Sequence, residues 1–461
     1  MQTNTPFTGK DLIARGYRPA PWFSEALDHV NARALTGEAL DTYLQQFKAP
    51  DPLPLHTAPV NYRLNIAADG AEEAGNVAKV QQTMDLVMRT PTVTAGSVMP
   101  DACPAGPPGT IPVGGVVVAE NAIHPGMHSA DICCSVMCTD LGDADPKLVL
   151  DAAQAVTHFG PGGRERDAQY RIPAEIATAF ADNRFLNNKR SIRLMREQLG
   201  TQGDGNHFLY VGRSAATGHT LLVTHHGSRG PGALLYNHGM KLAERYRQHL
   251  SPDTPKQNAW IPFDTEDGRD YWAALQIIRS WTKVNHEVIH DATARGVGYA
   301  VQDRFWNEHN FVFRDGTRFY HAKGATPLVD AFVPDGNGLR LVPLNMAEPI
   351  LVVRGEATPA NLGFAPHGAG RNHSRSAHRR AQTATDEQVF RRETQGLDVR
   401  FYSGHIDTTE LPSAYKDAAT VRRQMTAFGL GEVVDEIRPY GCIMAGDWQK
   451  DAPWRKRKRR R

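Results

Sequence analysis

No run of 18 consecutive apolar residues occurs in the chain, and Met1–Trp22 has no apolar core of the signal-peptide type. The first absence argues against a membrane-spanning helix and the second against a cleaved leader. The expectation is a cytoplasmic protein with no membrane partner. Cysteine is scarce: five in 461 residues, an odd number, with four of them between Cys103 and Cys138. That bunching suits metal or redox chemistry in a reducing compartment and not a disulfide framework. A Walker motif is missing, as is a G-x-G-x-x-G set between a strand and a helix, so P-loop and Rossmann readings lack support. No internal repeat is evident. Neither charge sign dominates: the formal charge is +2, and Arg455–Arg461 alone supplies seven consecutive cations. The body is therefore net negative, and any polyanion contact must be local.

What is present has the composition of a soluble enzyme, 41% hydrophobic and 22% charged, with length for a large core. The most informative stretch runs from Pro100 to Thr139. It opens with a Gly- and Pro-dense loop and continues through Val113–Ala119, an apolar run short enough to be a buried strand. It ends with His128, Asp131, Cys133, Cys134 and Cys138 in a second apolar run. Burying an unpaired acid is costly, and a metal would hold both carboxylate and thiolate as anions. Free cysteines are also common small core residues, so this stretch alone leaves both readings open.

The rest of the chain adds further histidines. Residues 1–60 read as an N-terminal wrapping segment of short helices and Pro-rich turns, and Ala71–Arg89 has helical spacing. Gly160–Asp167 reads as a surface loop, since no strand–loop–helix frame makes it a phosphate cradle. Arg184–Leu199 reads as a basic amphipathic helix. Gly205–Val211 and Leu221–His226 read as paired strands that bring His207 and His225 to the same end, where alternation lets both point to one face. Asp264–Arg295 reads as a long helix; His286 and His290 at i, i+4 could chelate, but a solvated polar face is preferred. Leu341–Gly355 reads as two strands or one bent strand, and Arg438–Met444 as a closing strand. His367 follows Pro366 and is succeeded by Gly368 and Gly370 and then by Arg371, Arg375, Arg379 and Arg380. That setting suits a phosphoryl group or an exposed basic helix.

Taken in order, these stretches resemble the RtcB family of RNA-splicing ligases. The matching blocks are Asn76-Val77-Ala78, Met99-Pro100-Asp101, Pro112-Val113-Gly114, Asp131-Ile132-Cys133-Cys134, Gly205-Asn206-His207-Phe208 and His225-His226-Gly227-Ser228-Arg229-Gly230. They continue with Glu308-His309-Asn310, Lys323-Gly324-Ala325-Thr326, His367-Gly368-Ala369-Gly370-Arg371, Ser374-Arg375 and Ala414-Tyr415-Lys416. The resemblance implies an α/β fold, a single compact RtcB-like domain with stacked β-sheets flanked by helices, over residues 61–446, followed by a basic disordered tail, 447–461. It implies two manganese ions, one held by Asp131, Cys134 and His207, the other by Cys134, His225 and His309. It implies that His367 carries a guanylate drawn from GTP. Asn206, Phe208, Asn310, Asn345, Met346, Gly368, Ala369, Gly370 and Tyr415 would surround the nucleotide, and Arg229, Arg371 and Arg375 would meet RNA. The implied reaction joins an RNA 3′-phosphate or 2′,3′-cyclic phosphate end to a 5′-hydroxyl end, in tRNA splicing or RNA repair.

The chain departs from that family's pattern at several positions. Cys103 stands where the family has a histidine, Cys133 and Ser135 where glycine is usual, and Tyr210 where an acid is common. Leu344-Asn345-Met346-Ala347 replaces a Gly-Ser-Met-Gly-like turn, and Ala445-Gly446 stands where a guanine-reading lysine ends the family's chains. Two alternatives follow: the same design with another nucleotide, or a metal-dependent cyclic phosphodiesterase that does not seal. A third is a non-enzymatic RNA-binding protein that uses the tail.

Overall fold

The computed structural model describes residues 6–17, 19–47, 51–333 and 336–449. The cations Arg455–Arg461 lie outside the described residues. Two compact units divide the chain, Met1–Leu53 and Pro54–Arg461. In the first, helices Gly9–Ala14, Trp22–Ala32 and Gly37–Gln45 close on Leu12, Val30, Leu40 and Leu44, and Trp22 stacks on Phe47 at 4.3 Å. Thr8 begins the first helix, where its hydroxyl and its backbone N–H both donate to the Asp11 carboxylate.

The second unit is mixed α/β, as the sequence led us to expect. One sheet has five strands in the order Tyr62–Leu64, Val93–Cys103, Val113–Glu120, Arg318–Lys323, Asn310–Asp315. Its middle strand is buried from Gly114 to Ala119, which explains an apolar run without alternation. The larger sheet has eight strands. Its path runs Arg340–Val342, Ile350–Arg354, Glu432–Met444, Phe208–Ser214, Thr220–His226, Ser135–Asp140, Asp303–Glu308, with Asp398–Phe401 parallel beside Glu432–Met444. Leu341–Gly355 is therefore two strands.

The long helix spans Glu266–Val297. Thr265 caps it by accepting from the Gly268 N–H at 3.0 Å, and Gly298, at φ +73°, ends it. Tyr271, Leu275, Ile278, Trp281 and Ile289 are buried along it, each contributing on the order of 2 kcal/mol through area removed from water. His286 and His290 correct an expectation: both are fully buried and not on a solvated face. Their face meets strand Thr220–His226, where the Thr224 hydroxyl bridges His286 Nδ1 at 2.6 Å and His290 Nε2 at 2.7 Å. Hydroxyls on the neighbouring strands satisfy the rings, so burial is tolerated. The basic helix is shorter than expected, Lys189–Glu197, because Asn188 caps it by accepting from the Ser191 N–H. No described helix is long and apolar enough to cross a membrane.

Candidate metal centre

Strand register assembles the centre. Strand Ser135–Asp140 lies between Thr220–His226 and Asp303–Glu308, and Ser135 pairs with both His226 and Glu308. Cys134, His225 and His309 consequently arrive at one end of three adjacent strands. The His309 N–H donates to the Cys134 carbonyl at 2.9 Å and holds that end closed. His225 also pairs across to Phe208, so His207, one residue earlier, reaches the same end. The expected hairpin geometry for His207 and His225 is present, with ring centroids 5.5 Å apart.

Two triads share one sulfur. Asp131, Cys134 and His207 form the first, and Cys134, His225 and His309 the second; within each, all ligand atoms lie within 4.8 Å of one another. Cys134 Sγ is 3.6 Å from His207 Nε2 and 3.1 Å from His225 Nε2, and His225 Nε2 is 3.1 Å from His309 Nε2. His207 Nε2 is 3.1 Å from Asp131 Oδ2.

The partners of the far ring nitrogens test whether a cation fits. His207 Nδ1 is 2.6 Å from the Gln202 carbonyl and His225 Nδ1 is 3.1 Å from the Asn206 carbonyl. A carbonyl only accepts, so each Nδ1 carries the proton and each Nε2 of the neutral ring presents a bare lone pair. Those lone pairs face a carboxylate, a sulfur and another imidazole. Such an array of acceptors repels itself unless a cation lies among them, and the donor set fits divalent metals. His309 Nδ1 is buried without a hydrogen-bond partner.

Electrostatics agree. Burial acts to raise the Asp131 carboxyl, but when His207 also carries a proton on Nε2 its hydrogen bond and charge outweigh burial and bring the carboxyl down to about 2. Burial lowers His225 to about 3 and holds His309 well below the ordinary histidine range. Burial, helped by the Asp131 charge, pushes the Cys134 thiol well above its usual value. At neutral pH Asp131, His225 and His309 are ready to ligate, while the thiol must first lose its proton. We therefore expect cation affinity to rise with pH, by about tenfold per unit for one proton released. Titration calorimetry in buffers of differing ionisation heat would report that proton, and a pH-independent affinity would contradict the assignment.

Facing the triads is His367, its ring centroid 4.9 Å from that of His309. Its Nδ1 is 2.6 Å from Asp101 Oδ2, and the backbone N–H groups of His367 and Gly368 donate to the same oxygen at 3.1 and 3.3 Å. Asp101 is fully buried. It fixes the ring with Nδ1 protonated and leaves the lone pair on Nε2. Gly370 makes this approach possible: its φ is +70°, and a Cβ there would come within 1.9 Å of the Asp101 carbonyl oxygen.

Asp131, Cys134, His225, His309 and His367 line a cavity of about 310 Å³. Every residue that the resemblance implied around the nucleotide lines it: Asn206, Phe208, Asn310, Asn345, Met346, His367, Gly368, Ala369, Gly370 and Tyr415. Arg371 lines it too, donating to Glu410, to the Thr409 carbonyl and to the Tyr415 hydroxyl, with its guanidinium 4.3 Å from the Tyr415 ring centroid. Arg229 does not line the cavity but lies close behind it: it donates to the Gly160 carbonyl and the Thr201 hydroxyl, and its guanidinium packs against Gly203 beside His207, near the charges of Asp131 and Asp204. Arg375 stands on a separate groove. Cys133 faces the core near Glu308 and Thr282, Cys138 lies in an apolar cluster with Val136 and Tyr210, and neither joins a triad. Sequence reasoning gave no role to Asp101 or Lys323, although both stand in quoted blocks. Lys323 lines the cavity, donates to the Ala105 and Ile111 carbonyls, and is lowered by burial to about 8. Only long-range pairing, not local pattern, reveals either.

Comparison with known proteins gives a consistent result. A family model described as "tRNA-splicing ligase RtcB" matches residues 148–445, more than half of the chain. A tRNA-splicing ligase RtcB of Aeropyrum pernix is 28% identical over 412 aligned residues, covering 72% of this chain and 84% of that protein. One from Archaeoglobus fulgidus is 26% identical, covering 81% and 90%, and one from Nanoarchaeum equitans is 26% identical, covering 64% and 71%.

Proposed function

The chain belongs to the RtcB family, and from that footing we propose that it is an RNA ligase joining 3′-phosphate or 2′,3′-cyclic phosphate ends to 5′-hydroxyl ends. The observation that carries this reading is the double triad on one sulfur, set across a single cavity from an oriented imidazole. Binding without turnover would need neither.

His367 Nε2 attacks the α-phosphorus of GTP, pyrophosphate departs, and a guanylate is held on the ring. Asp101 keeps the Nδ1 proton in place, so the ring is a nucleophile in one step and a neutral leaving group in the next. A cyclic phosphate end is first opened by water, which breaks the P–O2′ bond and leaves a 3′-phosphate; that 3′-phosphate takes the guanylate from His367, and the incoming 5′-hydroxyl then displaces GMP to form the phosphodiester. Two divalent cations, manganese by the resemblance, would be held by Asp131, Cys134 and His207 and by Cys134, His225 and His309, and when bound would offset charge on the phosphate oxygens. Affinity alone would not select manganese with these ligands, since zinc binds such sets more tightly. The Tyr415 ring, fixed by Arg371, offers a surface for the base.

Incubating the chain with an RNA bearing a cyclic phosphate, a 5′-hydroxyl partner strand, GTP and manganese tests the proposal. Joined RNA is expected. Free 3′-phosphate ends without joining would support the phosphodiesterase alternative, and no conversion would refute both. One observation favours a second reading about the nucleotide. Tyr210, Met346, Ile350, Cys442 and Met444 line the cavity, a wall with few groups that could tell guanine from another base. Joining rates with each of the four nucleoside triphosphates separate the two.

A further inference from the structure

A second groove adjoins the metal centre. Asp204 and Gly205 form part of it, and Gly205 is two residues, at most about 7 Å of extended chain, from His207. Opposite stand Arg375, Arg379 and Arg380, all exposed, on helix Arg375–Ala381. The Arg375 guanidinium lies against Gly205 and is 2.8 Å from Glu410 Oε1; Arg379 is 3.1 Å from Asp407 and 3.4 Å from Asp447. The groove has a volume of about 470 Å³, within the range of small-ligand sites.

Its remaining wall is Trp448, beyond the last residue that the family model matches. An indole on the surface near a chain end usually has no fixed place, but this one does. The Asp447 N–H donates to the His405 carbonyl at 3.0 Å, and the Gln449 N–H to the Asp447 carboxylate at 3.0 Å. The six-membered ring lies against Gly160, where a Cβ would come within 2.4 Å of it, and the Tyr402 ring is 6.2 Å away. The side chain nevertheless remains 39% exposed. Packing thus holds a large aromatic ring open to solvent in a groove shared by Arg375, paired with Glu410, Arg379, paired with Asp407 and Asp447, and Arg380.

Aromatic faces and guanidinium groups side by side are what an unpaired nucleic-acid strand needs: a ring for a base and cations for the backbone. A protein ligand would find little apolar surface here, and a duplex cannot offer a base face to the ring. We infer that this groove seats an unpaired nucleotide near the reacting end of the RNA, with one base stacked on Trp448 and its phosphates beside Arg375 and Arg380. The inference rests on the ligase reading and extends it to single-stranded ends.

The test uses the full chain and a fluorescent single-stranded RNA ending in a 3′-phosphate, without GTP, followed by anisotropy. Trp448→Ala should weaken binding about tenfold or more, the loss expected for one stacked base, while Trp448→Phe should stay within about threefold of wild type. A blunt RNA duplex should bind both variants and wild type alike, and thermal melting establishes that the variants are folded. Unchanged single-strand binding by Trp448→Ala overturns the inference, as does an equal loss for duplex and single strand. End joining by wild type is measured in parallel. Absence of joining removes the ligase reading and this one with it, whereas joining together with undiminished binding by Trp448→Ala removes the groove alone.

Discussion

Cys134→Ala should abolish binding at both cation sites at once. Each triad loses one of its three ligands, because the sulfur is common to both. Removing even a supporting partner of a metal ligand typically costs ten- to hundredfold in affinity, so loss of a direct ligand should cost about hundredfold or more at each site. Metal analysis after gel filtration should show about two ions per wild-type chain and close to none in Cys134→Ala. His309→Ala provides the contrast: His309 belongs to the second triad only, so about one ion should remain. Retention of both ions by Cys134→Ala would mean that the sulfur is a packed core thiol, the alternative that the sequence left open.

The second large effect concerns the nucleotide. With labelled GTP and manganese, wild type should form an acid-labile protein adduct, and His367→Ala should form none while keeping its metal content, since His367 is in neither triad. Asp101→Asn should slow adduct formation by about hundredfold or more. An amide can donate to Nδ1 and so favour the tautomer in which Nε2 carries the proton and cannot attack. Label carried undiminished by His367→Ala would place the nucleotide elsewhere.

Much of this centre was legible before any coordinates. Asp131, Cys134, His207, His225, His309 and His367 stand in blocks whose order resembles one family, and hairpin alternation alone brought His207 and His225 together. What stayed hidden depends on contacts between distant segments. Asp101 looks like one acid in a Pro-rich loop until His367, just past strand Phe364–Pro366 and 266 residues later in sequence, arrives to meet it. His286 and His290 looked solvated because helical spacing does not reveal that a neighbouring strand supplies Thr224 to satisfy them. Arg371 also donates to Glu410 and Tyr415, a pairing that no local pattern encodes. Trp448 carried no signal at all, since its position follows from packing on Gly160.

Crystals of the full chain soaked in manganese, with anomalous differences collected near the manganese edge, address the shared sulfur directly. The structure predicts two peaks within bonding distance of Cys134 Sγ, one also against Asp131 and His207, the other against His225 and His309. A single peak, or peaks that leave the sulfur unligated, would contradict it.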